Sequence, residues 1–596
     1  MRTSRKVACA LALAGVGLPA LAQQDRPESI LPPGFSDPTP VATPTPRPSV
    51  TPRPVPAETP GATARPDGTS APTPPEPGAT PSPTATPTPA KLDPAIAAFY
   101  ELPPSARRPL TLLGPVTQGD GGFAADAFGR TDGRYLETLM RRLAAPLPSR
   151  WLSIALRRLL VSELATPRNV TGADFAAERA WLLLRMGESV PARAVVQGVD
   201  APDWTPKLYQ VGLNAMLAAG DPGGMCSHAD GGAAVTGERG WVLAQAMCAG
   251  LGGEPARAKA LIDADRRRRV ARGIDLLLAQ KVVGSGAAGR QAVTIEWDGV
   301  DTLTTWRFGL AAATGIVAPD ELIATAGPQV RYWQALAPAY PAPTRVAAAE
   351  AATAQGVMSS AALVDLYGQL ANADGADAAG TATARDLETA YADRSADARL
   401  AAIRRLWGAP APYARLVLTA RAAARLPARA ETADADKLIA SMLTAGLDLS
   451  AMRWRGVVPA QGDAWALLTL ADPDVRRSVA YGDLAGYAGT GDAARKQRLL
   501  FAGLAGLRRL SPDDIERAAQ ALDVRVGAAD SWTRALDRAA GDGEAGTVVL
   551  LSAIGMQCAD WRGVSPAALF HIVGALTAVG LTGEARMVAA EALARA

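Results

Sequence analysis

The sequence predicts an all-α fold, an irregular α-solenoid of stacked helical hairpins behind a disordered Pro/Thr-rich N-terminal segment. Three observations carry this. From about Asp93 onward apolar residues recur with a 3.6-residue period, the spacing that puts them on one helix face. Helix–glycine–glutamate–helix units recur along the chain. Alternating runs of β-branched residues are scarce, with Ala292-Val293-Thr294-Ile295 the one tempting stretch. The 596 residues divide into a signal peptide (1–22), a tether (23–91), and helical-repeat regions 92–300 and 301–596.

The signal comes first. Arg2, Arg5 and Lys6 make a positive start, Val7 to Pro19 an apolar stretch, and Ala20-Leu21-Ala22 a small-x-small site that places cleavage between Ala22 and Gln23. The apolar stretch is too short to span a bilayer, and no later segment reaches the ~20 apolar residues required. Cys9 lies at the start of the apolar stretch, whereas a lipidated cysteine must follow it, which argues against a lipid anchor. The expected product is periplasmic or secreted, with no transmembrane anchor after cleavage.

The tether holds 21 of the chain's 47 prolines. Proline fixes φ and removes a donor, so the tract samples extended polyproline II at ~3.1 Å per residue, on the order of 200 Å at full stretch. Near its start, Ile30, Leu31 and Phe35 concentrate large apolar side chains where the tether offers nothing to bury them. They form a candidate docking peptide on a flexible arm.

In the body, Arg134 to Leu143 and Trp151 to Leu160 carry the helical period, with Pro146 and Pro148 between them. The repeated unit appears as Met186-Gly187-Glu188-Ser189-Val190-Pro191-Ala192-Arg193, as Gly252-Gly253-Glu254-Pro255-Ala256-Arg257, and as Thr582-Gly583-Glu584-Ala585-Arg586. Glycine supplies the left-handed residue that stops one helix, and glutamate is expected at the positive start of the next. A second repeat, Trp454-Arg455-Gly456-Val457-Val458-Pro459 and Trp561-Arg562-Gly563-Val564-Ser565-Pro566, leads twice into an apolar helix.

Trp241 to Cys248, followed by Gly253-Glu254 and Ala258, resembles the helix–Gly–Asp/Glu–helix grammar of tetratricopeptide-type repeats. That likeness implies helical hairpins stacked in series. The whole chain is similar to a group of bacterial secreted proteins that combine a signal peptide, a Pro-rich stalk and a helical body.

Motifs that bear chemistry are few. An exported compartment favours a disulfide between Cys226 and Cys248 if their two helices pack antiparallel, and leaves Cys558 over. Gly284-Ser285-Gly286-Ala287-Ala288-Gly289 matches GxGxxG, but the preceding Ile274 to Val283 reads as helix where a dinucleotide site needs a strand. Gly121 to Gly129 partly resembles a calcium β-roll nonapeptide; a single copy cannot stack, so Phe123 and Phe128 are read as pins for a loop. His228 and His571 lack partner sets for a metal, and Ser511-Pro512-Asp513-Asp514 is a helix start. No metal, cofactor or catalytic residue is assigned.

Net charge is +3, from 61 basic and 58 acidic residues, which argues against a nucleic-acid partner. The four-arginine run Arg266, Arg267, Arg268 and Arg269, together with Arg455 and Arg562, is the candidate interaction surface. The function read from this chain is a non-catalytic exported interaction or scaffold protein of the cell envelope, partnered by an envelope protein or cell-wall component. The competing reading is a cell-wall or polysaccharide-active enzyme on an α-superhelical or α/α-toroid body, whose chemistry needs only one or two carboxylates.

Overall fold

Helix caps and turns punctuate the body from its first described residues, and the result is all-α. A computed structural model describes residues 106–596 apart from 287–291, 372, 374–376 and 431. The signal and tether, with Ala22, Gln23, Ile30, Leu31 and Phe35, lie outside the described residues.

The first nine helices are α1 (Gly133–Arg142), α2 (Arg150–Val161), α3 (Gly172–Met186), α4 (Ser189–Val196), α5 (Pro206–Ala218), α6 (Ala229–Thr236), α7 (Arg239–Leu251), α8 (Pro255–Arg268) and α9 (Ile274–Gly284). There follow α10 (Thr305–Ala313), α11 (Asp320–Ile323), α12 (Gln329–Leu336), α13 (Ala342–Gln355), α14 (Ser360–Leu370), α15 (Ala378–Ala392), α16 (Ala396–Trp407), α17 (Tyr413–Ala424) and α18 (Ala435–Thr444). The last are α19 (Asp448–Met452), α20 (Asp463–Ala471), α21 (Tyr481–Ala485), α22 (Ala493–Gly506), α23 (Pro512–Ala521), α24 (Ser531–Gly541), α25 (Ala545–Gly555), α26 (Pro566–Ala578) and α27 (Thr582–Ala594). None of these is long and apolar enough to cross a membrane.

Among the described residues the strands amount to one antiparallel pair, β1 (Leu112–Leu113) and β2 (Leu164–Ala165), with Leu112 opposite Ala165. Ala292 to Ile295 forms no strand.

Sequential helices pack as hairpins: α3 with α4, α7 with α8, α12 with α13, α15 with α16, α17 with α18, α24 with α25 and α26 with α27. Local chemistry sets their ends. Ser149, Thr171, Thr205, Ser511 and Ser565 each accept a backbone N–H at a helix start. Gly187, at φ +87°, stops α3, and Gly253, at φ +81°, follows α7.

The third copy of the repeat departs from expectation. Gly583 is helical, and Gly580, at φ +82°, is the left-handed residue before α27. The repeat is therefore offset by one turn.

A nearest-neighbour array would leave its two ends apart. Here α27 packs against α2, α18, α20 and α22, and α2 also meets α13 and α25. The contacts of α2 with α13, α25 and α27 cross the boundary at residue 300. The sequence shows why these helices lie inside: α25 and α27 are apolar or small on almost every face, and Gly583 through Leu593 are all buried. On α2, Leu152, Leu156, Leu159 and Leu160 are wholly buried, each worth about 1.5–3 kcal/mol as an upper bound.

Candidate functional site

Two glutamates of the repeat, Glu188 and Glu584, are drawn to α2. Glu188 makes no cap hydrogen bond and accepts from Arg157 at 2.9 Å. Glu584 accepts from the next residue, Arg158, at 2.6 Å. A further copy that sequence reading missed, Gly543-Glu544-Ala545, accepts from the Arg130 backbone N–H at 2.8 Å and from the Thr131 hydroxyl. Its signal was present, since Gly543 at φ +73° precedes a helix as Gly187 does. Glu254, at the exposed turn between α7 and α8, pairs with Arg257 of its own helix, at 3.1 Å. A glutamate at the start of a helix is attracted by any nearby cation, and the arginines of α2 lie within reach of two copies.

The predicted cysteine pair is joined, with Cys226 and Cys248 Cα atoms 5.3 Å apart, while Cys558 remains outside the bridge. His228 beside Cys226 is buried and stacks on Trp204 with ring centroids 3.7 Å apart. Burial lowers its pKa to about 4, and its Nδ1 has no hydrogen-bond partner among the described residues. Phe123 and Phe128 are buried, Asp120 accepts from the Thr117 hydroxyl, and Asp132 caps α1. Gly284 closes α9, and a Cβ at Gly286 would meet the Gly250 carbonyl at 2.1 Å, so these glycines serve packing. The remainder of that motif lies outside the described residues.

The candidate surface arginines are not brought together by any contact among the described residues. Arg266 to Arg269 are exposed at the end of α8, where Arg269 takes the left-handed conformation. Arg455 pairs with buried Asp472, whereas Arg562 is exposed. Trp454 and Trp561, their neighbours, are buried at 0% and 2% exposure, so the repeated Trp anchors the loop.

A cleft in the C-terminal half was not legible in the sequence. It encloses about 990 Å³ between the start of α22, the loop before α24, the end of α25 and the start of α26. Trp532 forms part of its wall, held by its N–H to the Leu551 carbonyl at 2.8 Å and packed over Gly555, where a Cβ would lie 2.2 Å from the ring. Several polar groups here are committed to the scaffold. Arg495 donates to the carbonyls of Trp561 and Val564, at 2.6 and 3.0 Å. Asp492 caps α22, and Asp530 forms a capping box with Thr533 on α24.

Others are not committed. Arg498 and Arg525 line the cleft, exposed, with no side-chain partner among the described residues. His571, 12% exposed, has Nδ1 3.7 Å from Asp537, and its Nε2 is buried without a hydrogen-bond partner among them. The cleft thus combines an aromatic wall, two uncommitted guanidiniums and an imidazole, a set suited to holding an anionic group against a planar surface. No protein-family model, curated protein or solved structure matches this chain.

Proposed function

We propose that this chain is a non-catalytic interaction protein of the cell envelope, periplasmic or secreted, whose tetratricopeptide-like helical body receives an acidic segment of a protein partner in the Arg498–Arg525 cleft. Residues 23–91 tether the Ile30–Phe35 peptide so that it engages a second partner at raised effective concentration. One observation carries the non-catalytic reading. Of eight buried acidic side chains among the described residues, seven accept from a cation or N–H: Glu137, Glu178, Glu188, Asp472, Glu544, Glu584 and Glu591. These seven carboxylates are tied into the scaffold, and none of them lines the cleft. The eighth, Asp265, is raised by burial but is not among the residues lining the cleft.

The test is an affinity capture from envelope extract with the mature protein. Arg498→Glu with Arg525→Glu is expected to lose the cleft partner, and deletion of 23–91 a different one. If the double variant retains every partner, the cleft assignment fails; if the deletion does, the tether fails.

A polysaccharide-active enzyme is favoured by Glu188, whose carboxyl burial raises despite Arg157. Muropeptide release by the purified protein, abolished in Glu188→Gln, would establish that reading instead.

A further inference from the structure

Of the chain's twelve tryptophans, Trp181 is the one classed as exposed, at 40%. An indole left in water forgoes a large burial gain, so its surroundings matter. It stands at a groove of about 380 Å³ where α1, α3 and α5 meet. Glu178 and Trp181 lie three apart on α3, and Lys207, Gln210 and Asn214 follow helical spacing along α5. The groove walls are therefore rigid helix faces rather than loops.

Its floor is a closed ionic square. Arg141 donates to Glu137 at 2.9 Å and to Glu178 at 2.6 Å, and Lys207 reaches the same two carboxylates at 3.2 and 2.7 Å. Glu178 and Glu137 are buried, while Arg141 and Lys207 remain partly open to the groove. Two acids and two bases cancel, so the floor gives no net preference for an ion. It still offers charged donors, whose hydrogen bonds are stronger than neutral ones. Gln210 and Asn214 add amides that both donate and accept. Glu238 supplies a further acceptor at the rim. An uncharged ligand with many hydroxyls on its edge and an apolar face matches this set.

We infer that the Trp181 groove is a saccharide-binding site, in which a sugar ring stacks on the exposed indole while its hydroxyls bridge Lys207, Arg141, Gln210 and Asn214. It shares no lining residue with the partner cleft, so loss of the protein partner in the arginine variants leaves it intact.

The test uses the mature protein and two soluble probes, a β-1,4-linked N-acetylglucosamine hexamer and a β-glucan hexamer, measured by calorimetry and tryptophan fluorescence. Trp181→Ala, assayed below its own melting transition, is expected to weaken binding at least tenfold, and Gln210→Ala with Asn214→Ala to weaken it severalfold. Binding of the acetylated hexamer alone supports a cell-wall glycan as the source; binding of the glucan supports another polysaccharide. If neither hexamer binds at millimolar concentration, if choline binds in their place, or if Trp181→Ala binds as well as the parent, the assignment is overturned.

Discussion

Glu591, in the last helix, accepts the backbone N–H of Arg150 at 2.8 Å across 441 residues of sequence. The same carboxylate takes the Ser149 hydroxyl at 2.7 Å and the Trp151 N–H at 3.1 Å, and Arg595 pairs with it at 2.9 Å. It therefore caps α2 from the far end of the chain, supplementing the local Ser149 cap. Arg150 itself is buried and donates to the carbonyls of Met358, at 3.2 Å, Thr444, at 3.3 Å, and Thr353. One short segment thus binds three distant parts of the body.

Glu591→Ala removes the acceptor and strands three buried donors and a guanidinium, so we expect a loss of about 3 kcal/mol or more. Glu591→Gln, which keeps one acceptor oxygen, should lose less. Chemical denaturation of both variants measures this; an unchanged midpoint in Glu591→Ala would show that the two ends are not coupled.

The disulfide spans 22 positions. On the chain-entropy account, opening it costs about 3 kcal/mol. Cys226→Ser should lower the melting temperature, and reductant should then have no further effect. Thiol titration of the denatured mature protein should find one group before reduction and three after, because Cys226 and Cys248 are paired and Cys558 is not in the bridge.

His228 predicts a pH dependence. Burial lowers its pKa from 6.5 to about 4, so below pH 6.5 the unfolded chain binds a proton that the folded chain refuses. Stability conferred by the neutral ring is fully present above 6.5 and is lost as pH falls towards 4, by up to ~3 kcal/mol. His228→Phe should show a flatter dependence of melting temperature on pH across that window than the parent. Parallel curves would refute the assignment.

Cleft charge reversal tests recognition apart from folding. Arg498 and Arg525 are exposed and support no contact among the described residues, so Arg498→Glu and Arg525→Glu should leave the melting temperature within a degree or two while weakening a captured partner tenfold or more. Binding of that partner should also fall as salt rises.

Much of the architecture is written locally. The 3.6-residue period marks α1 and α2 to within a residue or two, Ser511 and Pro512 mark the start of α23, and Gly187 marks the end of α3. These are decided within a turn or so of backbone, by hydrogen bonds and φ preferences that neighbouring residues satisfy. The Cys226–Cys248 pairing is nearly local too, since α6 and α7 separate the two sulfurs only by a hairpin.

The sequence by itself determined an all-α body, several of its helix ends, and the repeat in which glutamate follows glycine. Only the tertiary structure decided what those glutamates do. Glu188 and Glu584 are equivalent in pattern to Glu254, yet two bind successive arginines of α2 and one faces solvent, because α3–α4 and α27 pack on α2 while α8 does not. The cleft and the Trp181 groove were equally illegible: each is assembled where several helices meet, and their lining residues carry no local signature. Period and capping act over a few ångströms along the backbone. Concavity and charge pairing depend on which faces meet, and long-range burial chooses those.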